Sequence, residues 1–64
     1  MKIKDLKKGD FFTKKVIDFP NENQVWIRCN YDNSEKKYEC VNFSDSNKYC
    51  YLDGKKEVFT DFTF

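Results

Sequence analysis

Residues 24–43 read QVWIRCNYDNSEKKYECVNF and give the clearest structural signal in the chain. Two runs rich in β-branched and aromatic residues flank the polar cluster 32–35, a pattern typical of two antiparallel strands joined by a turn. A turn centred on Asn33 and Ser34 gives this hairpin one register. The pairs that it predicts are Tyr31 with Lys36, Asn30 with Lys37, Arg28 with Glu39, and Trp26 with Val41.

This register predicts one apolar face and one mixed face for the hairpin. A slip of one residue would turn the apolar face toward water, so we expect that face to be the core. On the mixed face, Arg28 would face Glu39, a cross-strand pair that contributes about 0.2–1 kcal/mol. The expected core set is Val25, Ile27, Cys29, Tyr38 and Cys40, with Asn42 as the polar residue at its end.

The mixed face is the candidate binding surface, formed by Trp26, Arg28, Val41 and Phe43. Trp and Arg dominate the energetics of protein interfaces, and an apolar patch on an outer face often marks an interaction site. The alternative is that the N-terminal segment or the C-terminal tail covers Trp26. A domain of this length buries only roughly 60% of its unfolded surface and can spare few rings from its core.

Outside the hairpin, the chain predicts three more strands, at about 10–17, 48–52 and from 55 onward. Gly9 precedes the first, at a position where a positive φ costs little. Asp53-Gly54 is a strong signal for a two-residue hairpin turn, and the tail Phe62–Phe64 is expected to dock against the sheet. We therefore expect one all-β domain over residues 1–64, a five-stranded small barrel of antiparallel strands without a long helix.

Five short strands, opened by residues 6–11 (LKKGDF), resemble the SH3-like small barrel. Residues 4–10 (KDLKKGD), 24–28 (QVWIR), 31–38 (YDNSEKKY) and 57–64 (EVFTDFTF) resemble short proteins of gut anaerobes and their phages or mobile elements, a group without an established activity. The signalling SH3 domains carry an Ala-Leu-Tyr-Asp-Tyr run that this chain lacks. Their groove for proline-rich peptides is therefore not carried over, and fold analogy alone does not give function.

The composition argues against catalysis and against a cofactor. The chain has no His, which excludes Ser-His and Cys-His nucleophile arrangements, and with two Gly it has no glycine-rich phosphate loop. The carboxylate pairs Asp5 with Asp10 and Asp53 with Glu57 lie among Lys and turn residues, so we interpret them as solvated charges. We expect a non-enzymatic chain that needs no cofactor.

The three cysteines are Cys29, Cys40 and Cys50. They lack the close Cys-x-x-Cys spacing of zinc sites, and an odd number without short spacings does not form a disulfide framework. We interpret them as buried thiols in a reducing, cytoplasmic compartment, with a metal or redox role as the alternative. No metal site is predicted.

Twelve Lys and Arg stand against eleven Asp and Glu, so the net charge of +1 gives no general attraction to nucleic acid. The Lys pairs nevertheless make Lys7, Lys8, Lys14 and Lys15 a candidate basic patch. We expect a protein partner, and the alternative is a nucleic-acid-binding accessory protein of a bacterial mobile element or phage. The chain has no apolar run that could span a bilayer, so no membrane association is expected, and the sequence leaves the oligomeric state open.

Overall fold

The structure, a computed structural model, describes residues 1–63, and within this range the chain is all-β and has no α-helix. Four antiparallel strands form one open sheet in the order β1-β2-β3-β4. The strands are β1 (Phe11–Phe12), β2 (Trp26–Asp32), β3 (Lys37–Asn42) and β4 (Tyr49–Asp53). Single 3-10 turns lie at Ile3–Asp5 and Glu22–Gln24. The all-β prediction is confirmed, and β2, β3 and β4 begin and end within two residues of their predicted bounds.

The closed, five-stranded arrangement is not present in the described part of the chain. The segment predicted as a fifth strand instead makes two isolated antiparallel bridges, between Glu57 and Lys2 and between Phe59 and Thr13. At the second bridge, Thr13 and Phe59 exchange backbone hydrogen bonds of 2.8 and 3.0 Å. The C-terminal segment is therefore fastened beside the N-terminal residues and the end of β1, without a continuous ladder.

The predicted register of the central hairpin is wrong. Arg28 lies opposite Cys40, while Glu39 lies opposite Tyr51 of β4, so these two charges are not cross-strand neighbours. The register shifts between Arg28 and Tyr31, where Cys29 and Asn30 together oppose Glu39 in a β-bulge. The sequence prediction assumed that side chains alternate between the two faces of the sheet along the whole of β2. This alternation does not hold across such a bulge.

The loop between β2 and β3 also differs from the prediction and changes the pairing at the tip of the hairpin. It contains the four residues 33–36 where we predicted a two-residue tip. The Asp32 carboxylate accepts hydrogen bonds from the Ser34 hydroxyl at 2.7 Å and from the amides of Ser34 and Glu35, and Lys36 takes a left-handed φ of 56°. An Asp that binds the backbone ahead of it is a common way to start a turn.

The sheet has one covered face, here called the inner face. It carries Phe12 from β1, Trp26 from β2 and Cys40 from β3, and these pack against residues outside the strands. The core cluster is completed by Ile3, Leu6 and Val58, with Tyr38, Cys50 and Leu52 packed against it. The N-terminal turn and the C-terminal segment thus form the layer that covers the inner face.

Several local predictions can be compared with the loops. Gly9 has a φ of 95° and its amide donates to the Arg28 carbonyl, which confirms a glycine-requiring position. The Asp53-Gly54 hairpin is wrong, because the Lys56 amide donates to the Asp53 carbonyl and the chain turns away toward the N-terminal residues. In the tail, Phe62 is half-buried and the Thr63 amide donates to the Asp18 carbonyl. The described part of the tail therefore contacts the 18–20 bend and not the sheet. Phe64 lies outside the described residues.

Candidate functional site

Trp26 lies on the inner face, so its predicted place on an exposed surface is wrong. Its side chain is 8% exposed and belongs to the core cluster. The Lys14 ammonium nitrogen lies 3.9 Å from the centroid of the indole ring, so a cation also covers the ring near the surface. Ile3 and Leu6 of the N-terminal segment belong to the same cluster, as the alternative expected, and Val58 and Lys14 complete the cover of the ring.

Arg28 also lies on the inner face. Its guanidinium carbon is 4.5 Å from the centroid of the Tyr38 ring, and its Nη1 donates to the Cys29 carbonyl at 2.8 Å. Its Nε is buried without a hydrogen-bond partner among the described residues. The half-buried Arg28 thus stacks on the inner face, so Arg28 and Trp26 do not share a surface with Val41.

Val41 and Phe43 lie on the opposite, outer face of the sheet, as predicted for them. Strand register places a row of apolar side chains across this face, one from each strand. Directly opposed residues of antiparallel strands point to the same side, which makes the row continuous. Its members in order are Phe11, Ile27, Val41 and Tyr49.

Two aromatic rings extend this row into a patch. Phe43 meets Phe11 edge to face at 5.5 Å between ring centroids, and Tyr51 meets Tyr49 in the same manner at 6.2 Å. The most exposed ring is Tyr49, at 61%. The outer patch, as we name it from here on, consists of Phe11, Ile27, Val41, Phe43, Tyr49 and Tyr51.

The outer patch has a polar neighbour at the Tyr51 end. The Tyr51 hydroxyl donates to a Glu39 carboxylate oxygen at 3.4 Å. Partial desolvation and the negative charge of Glu39 raise the pKa of Tyr51 above its usual value. The phenol therefore stays protonated near neutral pH and can still donate a hydrogen bond.

Sequence reasoning found two of the six patch residues and missed four. The alternation of Tyr49 and Tyr51 on the two sides of Cys50 was a usable signal, because residues two apart in a strand share a face. Phe11 and Ile27 could be assigned to the patch only with the correct register. An error of one residue on β2 exchanges Trp26 for Ile27 on the outer face.

The four predicted lysines flank the two-residue strand β1 in two pairs. Lys7 and Lys8 lie in the turn before β1, while Lys14 and Lys15 follow its end. Lys14 is engaged with the Trp26 ring, and together with Lys15 it lines a shallow cavity of about 240 Å³. The candidate basic patch stays a prediction.

The remaining candidates for chemistry lie in ordinary structural settings. The Asp5 and Asp10 carboxylates accept from the backbone amides of Lys2 and Lys7, and Glu57 pairs with the N-terminal ammonium group at 2.6 Å. Within residues 1–63 no three or more His, Cys, Asp or Glu side chains come close enough to hold a metal ion.

The three cysteines are free thiols. Cys40 is buried, as predicted, whereas Cys29 and Cys50 are half-buried. Cys29 lies on the face opposite Cys40, which corrects the predicted grouping, and Cys50 is the residue directly opposite Cys40. Burial raises the pKa of the Cys40 thiol to about 12, so this sulfur stays protonated and unreactive near neutral pH.

In the part of the chain that the structure describes, no helix has the length and apolar character to cross a membrane. Comparison of the whole chain with protein-family models, with curated proteins and with solved structures found no match to any of them.

Proposed function

We propose that this chain is a small non-enzymatic binding module that docks a protein partner on the outer patch. The observation that carries the proposal is the apolar row from Phe11 to Tyr49, which crosses all four strands and ends at the exposed Tyr49 and Tyr51 rings, at 61% and 44%. Contiguous exposed apolar patches mark interaction sites far more often than isolated exposed residues do.

The make-up of the outer patch suits protein recognition. Tyr and Phe rings offer a large contact area while little side-chain entropy is lost on binding. The edge-to-face pairs hold four of these rings in place before a partner arrives. Preorganised rings on a rigid sheet reduce the entropy lost on association, which is a large opposing term in binding.

We also propose an SH3-like fold and a cytoplasmic location for this chain. The two bridges of the C-terminal segment support an SH3-like small barrel that is left open on one side. The resemblance to short bacterial and phage proteins and a cytoplasmic location both accord with three free thiols. None of the three comparisons bears on these points.

Nucleic-acid binding is the weaker alternative. It would need lysines beside an accessible ring that can stack on a base. Lys7 and Lys8 lie before β1 and Lys14 and Lys15 after it, and Lys14 already lies over the Trp26 ring, which is 8% exposed.

The proposal is tested with a random library of displayed peptides of about 12 residues, which in extended form span roughly 40 Å and can therefore cover the outer patch in either direction. Selected peptides are titrated into the isotope-labelled protein, and the amide shifts that they cause are mapped. We expect the shifts to cluster on the outer patch, and Tyr49→Ala to weaken binding at least about tenfold, as removal of an interface anchor does.

The matched control is Phe19→Ala. Phe19 is 78% exposed, more than any ring of the outer patch, but it lies in the 18–20 bend. Its removal should leave peptide binding unchanged. Peptides that bind equally well to Tyr49→Ala, or whose shifts map to the bend or to the lysine pairs, would overturn the proposed function.

A further inference from the structure

The outer face of the sheet ends in a charged row. Strand register places Asp32, Lys37 and Asp53 side by side across β2, β3 and β4. Glu39 and Tyr51 form the row between these charges and the outer patch. The face therefore changes from apolar at the Phe11 row to charged at the loop 33–36.

A shallow depression lies at this charged end. It has a volume of about 400 Å³ and is lined by Asp32, Glu35, Lys37 and Tyr51. Tyr51 belongs to the outer patch as well, so one side chain borders both the apolar and the charged part of the face. A partner that covers the outer patch would thus extend directly over the depression.

The carboxylates around the depression exceed its cations. Within residues 1–63 the Glu35, Glu39 and Asp53 side chains form no ion pair. Glu39 and Asp53 accept only the Tyr51 hydroxyl and the Lys55 amide, both neutral donors. The hydrogen bond from the Ser34 hydroxyl lowers the pKa of Asp32, which keeps that carboxylate ionised. Against these four carboxylates stand Lys36, Lys37 and Lys55, so this end of the face carries a net charge of −1.

We infer that the partner of the outer patch is a cationic peptide segment, with apolar side chains on the patch and a Lys or Arg over the depression. This inference rests on the proposed function and specifies the chemistry of its partner. Complementary charge at the edge of an apolar contact sets specificity and speeds association. A phosphate backbone or an anionic lipid surface would instead meet carboxylates of the same sign.

The geometry also predicts the spacing in the partner. Val41 in the apolar row and Lys37 in the charged row are four residues apart on β3, which is roughly 13 Å at 3.3 Å per residue. An extended peptide that runs along this strand has the same rise. Its apolar anchor and its basic residue should therefore be separated by four positions, with a second apolar side chain between them on the same face.

The experiment uses the peptides selected from the random library on the natural sequence. We expect Lys or Arg to be enriched four positions from an apolar residue, and binding to weaken as salt is added. The Glu35→Gln/Glu39→Gln double variant should bind these peptides about three- to fivefold less tightly, the scale of two partly exposed ion pairs. The matched control, Glu22→Gln, removes an exposed carboxylate in the turn Glu22–Gln24 and should change nothing.

Different results would overturn the proposed function and the cationic-peptide inference. Peptides that map to the outer patch but lack basic residues and ignore salt would overturn the inference and leave the proposed function intact. Peptides that map elsewhere would overturn both. Tight binding of a fluorescein-labelled oligothymidylate to this face, or self-association that blocks the peptides, would also overturn the cationic-peptide inference. Circular dichroism of each variant confirms that it is folded.

Discussion

At the scale of single residues, Asn42 is the polar side chain on which one end of the inner face depends. It is 2% exposed, its Nδ2 donates to the Asn23 carbonyl at 2.9 Å, and its Oδ1 accepts from the amide and hydroxyl of Ser44. Because its Nδ2 and its Oδ1 are both hydrogen-bonded, Asn42 can lie buried at the end of an otherwise apolar set of side chains. The sequence showed that a polar residue ends the apolar set. It did not show that Asn42 bonds Asn23, because Asn23 is distant along the chain.

Asn42→Ala should lower the free energy of unfolding by about 1–3 kcal/mol, because three groups lose their buried partner. Urea unfolding followed by Trp26 fluorescence measures this. Asn47→Ala is the control, since Asn47 is exposed in the neighbouring turn and should change stability by less than about 0.5 kcal/mol. Equal losses for the two variants would contradict the role given to Asn42.

Cys40 gives a prediction for the alkaline range. Its pKa rises from 9.0 to about 12 on folding, so the unfolded chain loses the thiol proton at a lower pH than the folded chain. The stability from burying the neutral thiol is complete below pH 9 and is lost as the pH rises toward 12. The loss amounts to at most about 1.4 kcal/mol per pH unit.

Between about pH 8 and about pH 10, the natural sequence should therefore lose roughly 1 kcal/mol more stability than Cys40→Ala. Urea unfolding at both pH values, for both proteins, measures the difference. All other titratable groups are common to the two proteins, so their contributions to the pH slope cancel. The same pH slope for both would show that the Cys40 thiol is not buried in this way.

Substitution by Ala should cost far more stability at Trp26 than at Tyr49. Trp26→Ala removes an indole from the core cluster and should cost about 3–5 kcal/mol, enough to unfold much of so small a domain. Tyr49→Ala removes an exposed ring and should cost less than about 1 kcal/mol. Urea unfolding followed by circular dichroism compares them. If Trp26→Ala were the milder change, the assignment of faces would be wrong.

At the scale of elements, the β2–β3 hairpin separates what the sequence could predict from what it could not. Its two strands and their approximate bounds follow from residue composition and from the polar cluster between them. The register does not, because it depends on a four-residue loop and a bulge at Cys29 and Asn30. Bulges and left-handed loop residues are local choices of the backbone, and no hydrophobic periodicity records them.

The loop conformation predicts opposite effects for two glycine substitutions. Lys36 has a φ of 56°, where a side chain is strained, so Lys36→Gly should stabilise the fold by about 0.5–1 kcal/mol. Glu35 lies outside the left-handed region, so Glu35→Gly should destabilise it through the entropy of the unfolded chain. Thermal unfolding of both variants tests the loop. Destabilisation by Lys36→Gly would favour the two-residue tip that we predicted from sequence.

For the molecule as a whole, the dimensions fit one sheet and one covering layer. The accessible surface of 4528 Å² is close to the roughly 4,400 Å² expected for a folded monomer of 7.8 kDa. The smallest dimension is 15 Å, which accommodates these two layers, since packed layers lie about 10 Å apart. The Tyr49 and Tyr51 rings lie on the side of the sheet away from the covering layer and are 61% and 44% exposed.

The all-β class could be predicted from the sequence. The side chains of Trp26 and Ile27 on β2, however, were assigned to the wrong faces of the sheet. The absence of helix signals, the turn clusters and the abundance of aromatic residues were sufficient for an all-β fold. They were not sufficient to place Trp26, because both Trp26 and Ile27 are apolar and either could face the core. Tertiary packing against Ile3, Leu6 and Val58 decides between them.

The assignment of the two faces requires that Trp26 lies inside the fold and that Tyr49 and Tyr51 are open to solvent. A soluble gadolinium chelate added to the free protein tests this, because relaxation of each ring proton reports how closely solvent approaches that ring. We expect fast relaxation for Tyr49 and Tyr51 and slow relaxation for Trp26 and Phe12. A Trp26 indole that relaxes as fast as the Tyr49 ring would show that the faces are assigned wrongly.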